Sequence, residues 1–132
     1  MDLSQHQTDI RNAVTRAIEE DIGSGDITAQ LIPADQTSHA RIISRERAVI
    51  AGQAWVNEVF KQVDNSVEVI WRVQDGDLVS PDQVLFELKG SSRSLLSGER
   101  CALNFLQSLS GTATLCEHYA KLVEGTGVKL LD

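Results

Sequence analysis

The sequence predicts an α+β domain, and three observations carry that expectation. Apolar positions recur at helical spacing near the N-terminus, again after Gly52, and again from Leu95 onward. Between these stretches lie short runs rich in isoleucine and valine. Gly, Pro and Asp clusters separate the runs, so helix, strands, helix, strands and helices follow one another without a βαβ repeat.

Each element has its own signal. Ile10, Ala13, Val14, Ala17 and Ile18 form one apolar stripe, which predicts a helix from about Gln5 to Asp21. Gly23-Ser24-Gly25-Asp26 then reads as a helix stop and restart, with Asp26 as N-cap of a short turn through Leu31. Pro33 and Asp35 mark a loop. Ala40–Ser44 and Ala48–Ala51 read as strands, with Arg45-Glu46-Arg47 between them and Gly52 ending the second. Trp55, Val56, Val59, Phe60 and Val63 predict a helix over 53–63. Residues 67–73 alternate mainly with period two; Asp75-Gly76-Asp77 is a tight turn, and 78–79 and 84–88 are short extended pieces. Pro81 belongs in a loop or at an edge. Leu95–Leu109 predicts a helix, and a second helix is expected over 112–123, with Gly111 between. Val128–Leu131 reads as a strand that needs partners on both faces, as in a parallel sheet, or else as an edge strand completing this domain.

With 132 residues the chain is long enough for one domain with its own core, and its 42% hydrophobic content is that of a globular protein. No apolar run nears the roughly 20 residues that span a bilayer, and the N-terminus lacks the charged start and apolar stretch of a signal peptide. A cytoplasmic location and no membrane partner are expected. A formal net charge of −7 argues against a nucleic-acid partner. Cys101 and Cys116 lie in apolar stretches without partners at metal-ligand spacing, so free buried thiols are expected.

The segment 98–111 carries the chemistry. On a helix, Arg100, Asn104, Gln107, Ser108 and Gly111 share one face, while leucine, alanine and phenylalanine cover most of the rest. A helix so apolar is buried or lies at an interface, and its polar stripe must find partners. Arg100 is then either an anion-binding fork or a structural arginine paired with Glu99 or another acid. Gly23–Asp26 is too short for a phosphate loop, and no strand precedes it. His6, His39 and His118 are isolated, and Trp55 and Trp71 occupy core positions. Residues 73–79 resemble turns of biotinyl and lipoyl carriers, but Lys89 lies outside any hairpin tip.

Glu20-Asp21-Ile22-Gly23-Ser24-Gly25-Asp26-Ile27-Thr28, Gly52–Trp55, Asp75-Gly76-Asp77 and Gly98-Glu99-Arg100 through Gly111 resemble, in order and spacing, the quinolinate phosphoribosyltransferases. The resemblance implies an α/β-hammerhead sandwich domain over 1–111, followed by the first helix and strand of an α/β barrel over 112–132. It implies an enzyme that converts quinolinate and 5-phosphoribosyl-1-pyrophosphate with Mg²⁺ to nicotinate mononucleotide, pyrophosphate and CO₂ in NAD biosynthesis. It further implies a homodimer in which Arg100 reaches the partner subunit's site and binds a quinolinate carboxylate. Family members continue beyond the last residue, Asp132, into a Thr-Arg-Lys motif, further basic residues, acidic metal-site residues and phosphate loops. No catalytic and no metal-binding residue is therefore expected in this chain, which alone should be inactive. Two other readings stay open: a non-catalytic dimerisation or assembly module, and the nicotinate-specific branch of the superfamily. The spacing from Gly98 to Asn104 favours the quinolinate branch.

Overall fold

The computed structural model describes residues 3–111, 118–124 and 127–131. Its elements are α1 (Leu3–Gln30), β1 (Thr37–Ser44), β2 (Ala48–Val49), α2 (Gln53–Val63), β3 (Glu68–Trp71), β4 (Leu78–Val79), β5 (Val84–Ser91), α3 (Ser92–Gly111), β6 (His118–Glu124) and β7 (Gly127–Leu131). Five strands form one antiparallel sheet in the order β3-β5-β1-β6-β7, and β2 pairs with β4 in a small second sheet. The mixed α and β character expected from the sequence is present.

Alternation along the strands decides which face is buried. Ala40 faces Leu88 across β1 and β5, and Ile42 faces Phe86; Val69 and Trp71 of β3 continue the same rows. Trp71 and Phe86 stack with ring centroids 4.6 Å apart. The register slips between Ile42 and Ile43, which leaves Leu85 as an extra residue, and its side chain is fully buried. Val56, Val59 and Phe60 from α2 and Leu95, Ala102 and Leu106 from α3 complete the core with this face.

Two glycines let α2 and α3 approach closely. A Cβ on Gly98 would lie 2.7 Å from Phe60 Cε1, inside van der Waals contact. Gly52, at φ +116°, begins α2 in the left-handed region, and a Cβ there would meet Leu109 Cδ1 at 2.9 Å.

Two expectations are corrected. The stop and restart at Gly23–Asp26 is absent, and α1 stays helical from Leu3 to Gln30. Glycine costs a helix about 1 kcal/mol relative to alanine. The far end is tied to the core: Ala29 is buried, and Arg93 donates to the Gln30 carbonyl at 3.2 Å and to the Ile32 carbonyl. The helix expected over 112–123 is not found at 118–124, where β6 pairs with β1 and then with β7. Residues 112–117, including Cys116, lie outside the described residues. Pairing satisfies the row of N–H and C=O groups that β1 would otherwise present, and this tertiary demand overrides helical periodicity. Val128–Leu131 accordingly lies antiparallel to β6, and parallel neighbours are not what it finds. Among the described residues, no helix is long and apolar enough to cross a membrane.

Candidate functional site

The buried side of α3 is Ser92, Leu95, Gly98, Glu99, Cys101, Ala102, Leu106 and Ser110. Arg100, Asn104, Gln107, Ser108 and Gly111 therefore face outward and are exposed in this chain. The stripe read as one face is one face, but it is not buried as that reading required. Leu103 and Phe105 flank it, half-buried against the core.

The Arg100 side chain is 81% exposed. Its partner is not Glu99 but Asp21 of α1, whose Oδ1 lies 3.9 Å from Nε. Successive residues on a helix project about 100° apart, so Glu99 falls on the core face as Arg100 falls on the open one. Glu99 is 5% exposed, its Oε2 has no hydrogen-bond partner, and burial pushes its carboxyl up to about 7. Beside Arg100, a groove of about 230 Å³ runs between α1 and α3, walled by Glu20, Asp21, Cys101, Asn104, Phe105 and Ser108. Cys101 is a free buried thiol; burial and then the nearby Asp21 carboxylate push it up to about 11, so it is not a nucleophile.

The remaining sequence candidates lie elsewhere. His39 shares Glu87 with Arg72, at 2.8 Å from His39 Nε2 and 2.6 Å from an Arg72 Nη, and the Arg72 hydrogen bond holds Glu87 below the usual carboxylate range. A wider polar hollow of about 750 Å³ opens beside His39, between the β1–β5 end and the loop after α2. Lys89 sits within β5 between His39 and Glu68, not at a hairpin tip, which removes the carrier-domain likeness. His6 packs edge-on to Trp55 at 5.9 Å. The side chain of His118 lies outside the described residues. No group of three His, Cys, Asp or Glu side chains able to hold a metal occurs among the described residues.

Sequence reasoning missed two contacts that hold this frame. Ser110 at the end of α3 bonds both backbone groups of Ala51, accepting from its N–H at 3.0 Å and donating to its carbonyl at 3.1 Å. Asp75 accepts from the Gln53 N–H at the start of α2, joining two stretches recognised separately in the sequence. Neither pair has a local signal, since a serine or aspartate near a glycine reads equally as a turn.

Comparison with known proteins decides the family. Residues 26–110 match the family model described as quinolinate phosphoribosyl transferase, N-terminal domain. The chain belongs to that family. It is 38% identical over 113 residues to a probable nicotinate-nucleotide pyrophosphorylase (carboxylating) of Bacillus subtilis, covering 86% of this chain and 39% of the relative. It is 33% identical to a quinolinate phosphoribosyltransferase (decarboxylating) of Nicotiana tabacum, again covering 39% of that protein and 94% of this chain. The fold matches the nicotinate-nucleotide pyrophosphorylase of Francisella tularensis with a TM-score of 0.73 and 39% identity, over 76% of this chain and 36% of that one. NadC from Streptococcus pyogenes gives a TM-score of 0.74 at 33% identity, over 84% of this chain and 39% of that one. The chain thus spans about two-fifths of the family members it matches. Arg100 and the α3 wall of the groove beside it lie within the matched residues, whereas Glu20 and Asp21 on the α1 wall precede them.

Proposed function

We propose that this chain is the N-terminal part of an enzyme joining quinolinate to 5-phosphoribosyl-1-pyrophosphate, with nicotinate mononucleotide, pyrophosphate and CO₂ as products. The observation that carries the reading is the outward Arg100 guanidinium on a helix whose other side is locked into the core. A pyridine dicarboxylate needs cationic forks, and a helix locked into the core fixes the backbone from which the Arg100 fork reaches. Aligning the dicarboxylate against the ribose anomeric carbon lowers the barrier by orientation alone.

In a chain of the relatives' length, residues 1–111 form the α/β-hammerhead sandwich and residues 112–132 begin the barrel, with Val128–Leu131 exchanging β6 for barrel neighbours. Two such chains form a homodimer, and Arg100 serves the partner's site. The enzyme works in the cytoplasm. Mg²⁺ would neutralise the diphosphate as it leaves. The family resemblance assigns the acidic residues that would hold it to the rest of the longer chain.

Steady-state kinetics of an enzyme of that length test the reading. Arg100→Ala should lower kcat/KM for quinolinate by about ten- to a hundredfold, the loss of one charge-assisted hydrogen bond. Unchanged kinetics with quinolinate would remove Arg100 from the site. Preferential turnover of nicotinate would move the enzyme to the other branch.

A further inference from the structure

We infer that Asp21 is a positioning residue for Arg100, and that α1 and α3 together present the guanidinium to the substrate carboxylate. The inference rests on the reading of Arg100 given above and adds a residue to it. The contact joins two elements that are far apart in sequence, and the two side chains differ sharply in exposure: 24% for Asp21 and 81% for Arg100. The acid is the more buried partner and the arginine the more exposed one. Asp21 is one turn beyond Ala17 and Ile18, which pack against the core, so its backbone is fixed. Across the groove from it stand Cys101 and Phe105, and its charge is felt at the Cys101 thiol, as expected of a carboxylate directed at α3.

The geometry of the contact gives it a use. A guanidinium offers one edge through Nε and another through its two Nη atoms. Asp21 approaches Nε, which leaves the Nη edge for a second carboxylate to accept two parallel hydrogen bonds. An arginine this exposed otherwise samples many rotamers, and each bound substrate must select one of them. A carboxylate behind Nε narrows that choice before substrate arrives. Asp21 also repels a dicarboxylate, but from behind the guanidinium and through solvent, where screening weakens it.

The test uses an enzyme of the relatives' length. Asp21→Ala should raise KM for quinolinate about two- to fivefold with kcat near the parent value, the size of one partly exposed ion pair lost from binding. Asp21→Asn keeps an acceptor oxygen and should recover part of the loss. In an Arg100→Ala background, Asp21→Ala should add nothing, because its effect passes through the arginine. If Arg100→Ala impairs quinolinate use while Asp21→Ala leaves KM unchanged or lower, Asp21 does not position Arg100. An undiminished Asp21→Ala effect in the Arg100→Ala background overturns the inference as well. If Arg100→Ala is itself silent, the reading of Arg100 fails first and the positioning role falls with it.

Discussion

Asp75 and Gln53 hold one another across the start of α2: Asp75 Oδ1 accepts from the Gln53 backbone N–H at 3.0 Å, and Gln53 Oε1 accepts from the Asp75 backbone N–H at 3.4 Å. The residue before Gln53 is Gly52, which offers no capping side chain. A residue more than twenty positions later therefore satisfies an N-terminal donor of this helix. Asp75→Ala should destabilise the domain by about 1 kcal/mol, the usual cost of a lost helix cap. Asp75→Asn, which keeps the acceptor, should cost less. Urea midpoints of the two variants check the difference.

Gly98 makes a second stability prediction. Gly98→Ala would drive a methyl into the Phe60 ring, which is fully buried and has no room to retreat. A loss of about 1–3 kcal/mol is expected from overpacking. Gly111, with nothing within 4 Å of its would-be Cβ, is the control, and Gly111→Ala should be neutral or slightly stabilising. Equal urea midpoints for the two variants would contradict the close approach of α2 and α3.

How much of this was legible in the sequence depends on what carries the information. Ile42, Phe86 and Leu88 were legible only as members of extended pieces, and the sheet register put them in the core. Helical spacing singled out Val56, Val59 and Phe60, and all three are buried, because local periodicity decides which face of a helix is apolar. The Arg100 stripe was found for the same reason. Its outward orientation was not, since nothing in residues 98–111 says which side of α3 meets the sheet. Glu99 was offered as a partner for Arg100 because adjacency in sequence was mistaken for adjacency around the helix. The Gly23–Asp26 break and the 118–123 part of the expected helix failed together. In both, tertiary pairing of backbone and core outweighed local preference.

The buried Glu99 makes stability depend on pH. Its folded value, about 7, stands above the ordinary 4.5, so the folded state binds the proton more tightly. Protonated, the group costs little; as pH rises from about 4.5 through 7, the folded state must either hold a charge in the core or lose stability. The loss at pH 8 is about 3 kcal/mol by linkage. Glu99→Gln should match the parent near pH 5 and exceed it near pH 8. Denaturation curves at the two pH values check this, and a parent whose stability is flat over that range would refute it.

The 132-residue chain by itself should make no nicotinate mononucleotide. A diphosphate and a cation need clustered donors, and no group of three metal-binding side chains occurs among the described residues. Product above background from a purified sample would show that the site is less divided between this segment and the rest than proposed.

Association is the remaining expectation. The half-buried Leu103 and Phe105 border the exposed stripe on α3, and a twofold dimer could cover both with one self-complementary patch. Light scattering over a dilution series should show a species heavier than a monomer. A monodisperse monomer at micromolar concentration would be the contrary result.

The place of β1 in the sheet has a consequence for synthesis on the ribosome. β1 is complete at Ser44, yet its neighbours are β5, which ends at Ser91, and β6, which ends at Glu124. At roughly 5–20 residues per second, the nascent strand waits several seconds for one partner and longer for the other. Throughout that interval Ala40 and Ile42, later inaccessible to water, are uncovered on a strand with both edges open. The synthesis of the residues between Ser44 and Glu124 is therefore the stretch in which a chaperone would matter most.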